Sequence, residues 1–315
     1  MFQLFKERNF SDYINDTFQF FKVQGKHFFK TFFIINGGLL LVAVVLIYFF
    51  AKIYMDFIFS KILGNGNAPQ NDLGTFFNAN FGLMISLIIG AILLFLVISL
   101  FQFTFPVVYL DLYDSKKGLH FSAKDILIGM KKRIPKIIKF VIGSIFILFP
   151  LLMIVFGLLV MLCFIIIGIP LLLIMMPAMT SFIHLTFFYY MNSDEGFFSA
   201  LGDGFDTIKQ QFWPIIGATT SIIFILYIVN SIFTLIPYLF GMASMFTTLQ
   251  SGSQEDAFST ISIIMSIVMV ISVIVSYILN NLLLINQGLI YYSHIENSES
   301  SISNDSIDLI GADSE

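Results

Sequence analysis

A few polar side chains inside long apolar segments are the residues best placed to do chemistry. Amides concentrate near the end of the last apolar segment, with one more in the segment before it: Asn280, Asn281, Asn286, Gln287 and Asn230. Amides form hydrogen bonds between membrane helices without changing charge, so we interpret this set as contacts between helices. The alternative interpretation is a path for a polar substrate between the two segments that carry them.

Histidine and cysteine offer little further chemistry. None of the four histidines has the His-x-x-x-His or His-x-x-Glu spacing typical of metal sites on helices, and only His184 lies inside an apolar segment. Because Thr180 and Ser181 lie beside it, we interpret His184 as forming an interhelical hydrogen bond rather than acting as a proton relay. Cys163 is the only cysteine, which excludes an intramolecular disulfide. We predict no metal, no cofactor and no catalytic residue.

Basic residues concentrate between two apolar segments, in residues 114–139. Ser122 and Asp125 there have the spacing of a helix capping box, and Leu127, Met130 and Ile134 form a short apolar face. A basic helix with an apolar face is typical of the lipid headgroup region. We predict that its eight cations bind anionic lipid headgroups: Lys116, Lys117, Lys124, Lys131, Lys132, Arg133, Lys136 and Lys139.

Hydropathy predicts the elements that position these residues. The chain is 57% hydrophobic and 11% charged, against roughly 25% charged in soluble domains. Residues 140–191 contain no charged side chain, and a single helix of that length, roughly 78 Å, would exceed the ~30 Å bilayer core. We therefore predict a turn at Gly168-Ile169-Pro170, where Gly168 supplies unusual backbone angles and Pro170 begins the returning helix. The predicted fold class is all-α, a polytopic membrane helix bundle with spans near residues 32–60, 81–112, 136–167, 170–191, 213–240 and 258–292.

Two other segments have apolar residues at helical spacing, like residues 114–139. One carries Phe10, Ile14, Phe18 and Phe21, with Ser11 as the predicted N-cap. We expect it to lie in the headgroup plane or to pack as a cytoplasmic cap. The other carries Leu201, Phe205, Ile208 and Phe212.

Short motifs recur with this pattern. Tyr113 precedes Phe121-Ser122-Ala123 by eight residues, and Tyr190 precedes Phe198-Ser199-Ala200 by the same interval. We predict three units of one amphipathic helix and one hairpin, at about residues 8–113, 114–191 and 192–295. Residues 296–315 are acidic and rich in serine, which predicts a disordered tail.

This arrangement resembles a known type of membrane protein. Phe198-Ser199-Ala200-Leu201 followed by Phe212-Trp213-Pro214, within such units, is similar to the six-span membrane domain accompanying some bacterial glycerophosphodiester phosphodiesterases. These motifs also resemble those of related uncharacterised multi-pass proteins, including ones from Bacteroidetes. The resemblance covers about residues 8–295. That family's catalytic residues lie in a separate soluble barrel, so the resemblance implies a membrane fold and no active site here.

Charge asymmetry predicts the orientation. Fourteen of the sixteen Lys and Arg residues lie on the face that holds both termini and both inter-unit segments. By the positive-inside rule, both termini are cytoplasmic, in a bacterial inner membrane. We predict a non-enzymatic scaffold or subunit of a membrane complex, with anionic lipids and membrane proteins as partners and no nucleic acid. A transporter or lipid-handling protein, with a polar path between spans five and six, is the alternative.

Overall fold

A computed structural model describes residues 2–62, 81–118, 121–250 and 254–312. The described residues form helices and contain no strand. A π-helical turn, Ser144–Leu148, joins the third helix to the fourth. In chain order the helices are α1 (Phe10–Ile62), α2 (Phe81–Ser115), α3 (Ala123–Gly143), α4 (Phe149–Cys163), α5 (Gly168–Asn192), α6 (Phe197–Gln210), α7 (Phe212–Gln250) and α8 (Gln254–Ala312). Residues 63–80, between the first two predicted spans, and His120 lie outside the described residues.

Six stretches of helix are long and apolar enough to cross a membrane, which confirms the predicted all-α fold with six spans. The π-helical turn lies inside the third of them, directly before Phe149 and Pro150. Proline lacks the N–H that would continue the regular hydrogen-bonding pattern, and a π turn is one way for a helix to continue past it. The six stretches are Phe10–Met55, Ile88–Ser115, Ala123–Cys163, Gly168–Asn192, Phe212–Leu235 and Thr260–Glu299.

The first two amphipathic segments are continuous with the spans that follow them. α1 is a single helix of 53 residues, and α3 continues through the π-helical turn into α4. The prediction of separate helices in the headgroup plane is therefore wrong for these two segments. An unbroken helix bonds its backbone groups internally and needs no additional capping groups at the membrane surface. Only the third segment forms a helix of its own, α6.

The buried faces of α1 and α3 differ from the apolar faces that spacing predicted. In α1 the buried side chains include Tyr13, Phe20 and Phe28, whereas Phe10 and Phe18 are exposed. In α3, Met130 of the predicted apolar face is buried, whereas Leu127 and Ile134 are exposed. The other buried side chains are Ile126, Ile137 and Phe140. Both helices carry apolar residues on more than one side, so helical spacing alone does not select the buried face.

Of the two predicted helix N-caps, that of α1 is wrong and that of α3 is present. The backbone N–H of Asp12 donates to Asn9 Oδ1 at 3.0 Å, and the Asn9 N–H donates to the Asp12 carboxylate at 3.1 Å. Asn9 rather than Ser11 therefore caps α1. The predicted capping box of α3 is present. There the Ser122 hydroxyl accepts from the Asp125 N–H, and the Asp125 carboxylate accepts from the Ser122 N–H at 2.7 Å.

The central hairpin turns at residues 164–167, just before the predicted position. Ile166 adopts the left-handed backbone conformation (φ 66°), whereas Gly168 is the first residue of α5. The prediction that Gly168 supplies the unusual backbone angles is wrong. A Cβ atom at residue 168 would overlap the backbone of Leu162 and Cys163, so glycine is needed there for close approach. Pro170 lies in the first turn of α5, as predicted.

Helix packing divides the chain into two compact units. Unit 1 consists of Met1–Ile35, Phe103–Ile225 and Asn281–Glu315, and unit 2 consists of Asn36–Gln102 and Leu226–Asn280. These units do not follow the predicted sequence repeat, which stays a prediction. α8 continues to Ala312, so its helix passes through the start of the predicted disordered tail at residue 296 without a break.

Aromatic rings fill much of the core of unit 1. The Phe28 ring lies 4.9 Å from the Tyr109 ring and 5.1 Å from the Phe105 ring, both edge-on. Edge-to-face pairs are favourable because the positive ring edge meets the negative ring face. Some of the phenylalanines of the sequence therefore serve packing inside this unit.

Candidate functional site

The basic residues of 114–139 point in two directions, and the first group points inward. The Arg133 guanidinium donates to the Asp111 carboxylate of α2 at 2.8 Å. The Lys136 ammonium donates to the Ser193 carbonyl at 2.6 Å and to the Asp194 carboxylate at 3.1 Å. These two cations therefore attach α3 to α2 and to the segment after α5.

The second group points outward. Lys124, Lys131, Lys132 and Lys139 are exposed on α3, and we call these four residues the lysine face. At about 100° per residue they lie within an arc of roughly 100°, opposite the buried side chains of the helix. In the part of the chain that the structure describes, no carboxylate lies within ion-pair distance of them. Lys117 is likewise exposed, whereas Lys116 lies 3.4 Å from the Asp125 carboxylate.

Apolar side chains border the lysine face. Leu127, Ile128, Ile134 and Ile138 are all exposed on α3. Lysine side chains place their methylene stems along apolar surface and keep the ammonium group in water. An exposed surface that mixes the two residue types is suited to the boundary between acyl chains and headgroups.

An ion pair at the N-terminus was not predicted from the sequence. The buried Arg8 guanidinium donates to the Asp16 carboxylate at 2.9 Å and to the Leu4 and Gln3 carbonyls, both at 2.7 Å. Burial lowers the pKa of Arg8, an effect that Asp16 opposes. Residues 2–9 are thereby held against unit 1, where the Phe2 N–H also donates to the Tyr113 hydroxyl at 2.9 Å. The spacing of Arg8 and Asp16, eight residues apart, gave no signal of this fold-back.

Two histidines form hydrogen bonds with tyrosines in unit 1. His27 Nε2 lies 3.0 Å from the Phe121 carbonyl, which can only accept, so Nε2 carries the proton and Nδ1 accepts from the Tyr109 hydroxyl at 2.8 Å. In the same way, the Tyr189 hydroxyl lies 2.7 Å from His294 Nδ1. Both histidines therefore connect helices. Among the described residues, no group of three His, Cys, Asp or Glu side chains could hold a metal ion.

The predicted intramembrane amides connect α8 to two different helices. Asn286 donates to the Tyr13 carbonyl at 3.1 Å and to the Thr17 hydroxyl at 3.0 Å, both on α1. Gln287 donates to the Thr219 hydroxyl of α7 at 2.9 Å. In unit 2, Asn230 of α7 lies at a long 3.4 Å from the Ser272 hydroxyl of α8. Asn281 is fully buried and Asn280 is half-buried.

The predicted interhelical hydrogen bond of His184 is wrong. His184 Nδ1 donates to the Thr180 carbonyl at 2.6 Å, one turn earlier on the same helix. The imidazole stacks on the Phe103 ring of α2, with the ring centroids 5.2 Å apart. The nearby carbonyl four residues back satisfies the donor, and the contact with the neighbouring helix is made through ring faces instead.

The fold and the distribution of polar groups define an integral, multi-pass, all-α membrane protein. Comparisons of the chain with family models, curated proteins and solved structures give no match. The resemblance to the membrane domain of glycerophosphodiester phosphodiesterases stays a prediction.

Proposed function

We propose that this protein is a non-enzymatic scaffold or subunit of a bacterial inner-membrane complex, which contacts anionic lipids through the lysine face of α3. The observation that supports this proposal most is the division of the cations on α3. Arg133 and Lys136 bind groups of the protein, whereas the four lysines of the lysine face have no carboxylate partner among the described residues.

The energetics favour lipid phosphate as the missing partner. A lysine near an anionic membrane surface contributes about 1 kcal/mol of attraction, which is lost beyond a Debye length of about 8 Å at physiological salt. Four lysines on one face act together, so the lysine face discriminates between anionic and zwitterionic headgroups. The bordering isoleucines add attraction that does not depend on headgroup charge.

The alternative function, a transporter or lipid-handling protein with a polar path between α7 and α8, has less support. The side-chain amides of Asn286 and Gln287 donate to groups of the protein itself. Amides used in this way hold helices together.

The proposed orientation places both termini and the lysine face in the cytoplasm. It is supported by the concentration of Lys and Arg residues on one side of the predicted spans. In a Cys163→Ser background, a cysteine at Asn71 should react with an impermeant maleimide from outside the cell, and one at Ser115 only after permeabilisation. Reaction of the Ser115 variant in intact cells would contradict the orientation.

Lipid binding by the lysine face can be tested with two charge variants. The purified, delipidated protein is titrated with dioleoyl phosphatidylglycerol or dioleoyl phosphatidylcholine, and bound lipid is measured by native mass spectrometry. Replacing all four lysines with glutamine should weaken phosphatidylglycerol binding by at least about tenfold and leave phosphatidylcholine binding unchanged. Replacing them with arginine keeps the charge and should preserve binding. Equal binding by the parent and the glutamine variant would contradict the proposal.

A further inference from the structure

A second feature of unit 1 points to a lipid, away from the lysine face. A cavity of about 540 Å³ lies between the central hairpin and α6. We call it the hairpin cavity. Its walls include Leu151 and Val155 of α4, Met175 and Phe182 of α5, and Phe205 of α6.

The lining of the hairpin cavity is apolar except at one residue. Lys209, in the last turn of α6, is the charged residue among those that line it. Lys209 is exposed, and within the described residues no carboxylate forms an ion pair with it. The cavity therefore combines a long apolar surface with a single cation, the pattern that an anionic amphiphile would complement.

The neighbouring residues indicate the depth of Lys209 in the membrane. Phe212 lines the cavity at the start of α7, and the next residue, Trp213, is exposed. Exposed tryptophan at the end of a span is typical of the headgroup region. Lys209 precedes Trp213 by four residues across the short junction between α6 and α7. This proximity to Trp213 favours a position of Lys209 near the headgroup region.

We propose that the hairpin cavity holds one acyl chain of an anionic membrane lipid, with the lipid phosphate bound by Lys209. The volume falls within the roughly 300–1,000 Å³ of small-molecule pockets. Methionine side chains, such as Met175 and Met179, adapt to irregular apolar shapes, as a flexible chain requires. Water is a poor occupant because it needs two to four polar partners.

This site is separate from the lysine face and makes a different prediction. The lysine face attracts headgroups over an open surface and selects by charge alone. The hairpin cavity requires an acyl chain, so blocking it should affect charged and neutral lipids alike. The two proposals can therefore fail independently.

Filling the cavity tests the acyl-chain part of the proposal. Ala178 is buried and lines the cavity, so Ala178→Phe should occupy the space of the chain. We expect binding of dioleoyl phosphatidylcholine, which the lysine face does not affect, to weaken about tenfold or more when measured by native mass spectrometry, since loss of two buried methylene contacts suffices. Lys209→Gln should weaken phosphatidylglycerol binding about fivefold and leave phosphatidylcholine binding unchanged. Unchanged lipid binding by Ala178→Phe, or loss of self-association instead of lipid binding, would overturn the proposal.

A second measurement does not depend on filling the core. Val155→Cys in a Cys163→Ser background places a thiol in the cavity wall, where an apolar maleimide can report occupancy. Added dioleoyl phosphatidylglycerol should slow labelling in proportion to its occupancy of the site, and Lys209→Gln should shift this protection to about fivefold higher lipid concentration. Glutamine at all four residues of the lysine face should leave the protection unchanged. Labelling that is insensitive to the lipid would overturn the proposal.

Discussion

Lys132 and Arg133 are adjacent on α3, yet they belong to different faces of the helix. Arg133 points inward and binds the Asp111 carboxylate of α2, whereas Lys132 is exposed on the lysine face. One step along a helix turns the side chain by about 100°, which separates a cation paired with Asp111 from one exposed on the surface. The role of a basic residue in this segment is thus decided by the rotation of α3 against its neighbours. A count of charges does not distinguish the two faces.

Two glycines of α6, one facing α5 and one facing open space, give the largest predicted effect on stability. A Cβ atom at Gly204 would lie 2.8 Å from the Thr186 hydroxyl and 3.1 Å from the Thr186 backbone nitrogen, while at Gly202 it would meet nothing within 4 Å. Gly204→Ala should lower the free energy of unfolding by about 1–3 kcal/mol because α6 must move away from α5. Gly202→Ala should raise it by about 0.5–1 kcal/mol. Chemical denaturation in detergent measures both free energies of unfolding. Equal stabilisation by the two variants would show that α6 does not approach α5 closely at Gly204.

Adjacent charge variants on α3 give the next largest effect. Arg133→Gln removes the ion pair with Asp111 and should lower the free energy of unfolding by about 1 kcal/mol, because the Arg133 side chain is only partly exposed. Lys132→Gln should change stability by less than about 0.5 kcal/mol because the side chain is exposed. The two denaturation midpoints, measured in the same detergent, test the contrast. A larger loss for Lys132→Gln than for Arg133→Gln would reverse the assignment of the two faces.

The smallest expected effect concerns an acidic residue on α6. Partial burial, with the nearby charges of Glu195 and Asp206, raises the pKa of Asp203 above its ordinary value of 3.8. The folded state therefore holds this proton more tightly than the unfolded state, and stability falls as pH rises from the ordinary pKa through the raised one. Asp203→Asn should be slightly more stable than the parent at neutral pH, and this advantage should vanish below pH 3.8. Thermal midpoints across pH 3–8 measure it, and Asp206→Asn should reduce the advantage.

The sequence predicted the features that depend on local chemistry. Uncharged runs of sufficient length predicted the spans, and the spacing of Ser122 and Asp125 predicted the cap of α3. Both depend on residues close together in the chain. The hairpin was predicted within a few residues, although the role of Gly168 was not, because its close approach to residues 162 and 163 depends on how the chain folds back.

The orientation of side chains was largely beyond prediction. Leu127, Met130 and Ile134 were expected to form one apolar face, yet Met130 is buried and the other two are exposed, since α3 is apolar on several sides and its rotation is fixed by contacts with other helices. The Arg8 ion pair, the Asn286 contacts with α1 and the hairpin cavity also depend on such contacts. In membrane proteins, the sequence does not distinguish the buried side of a helix from its lipid-facing side, because both are apolar.

The most direct test of the central claim compares two double variants of α3. Lys131→Gln/Lys132→Gln removes two charges from the lysine face, and Arg133→Gln/Lys136→Gln removes two inward charges. Affinity for dioleoyl phosphatidylglycerol is measured for each at about 50 mM and about 300 mM salt, together with the thermal midpoint. The outward variant should lose about tenfold in affinity at low salt, less at high salt, and keep its thermal midpoint. The inward variant should keep its affinity and lose stability. Equal losses of affinity in the two variants would contradict the division of α3 into a structural face and a lipid-binding face.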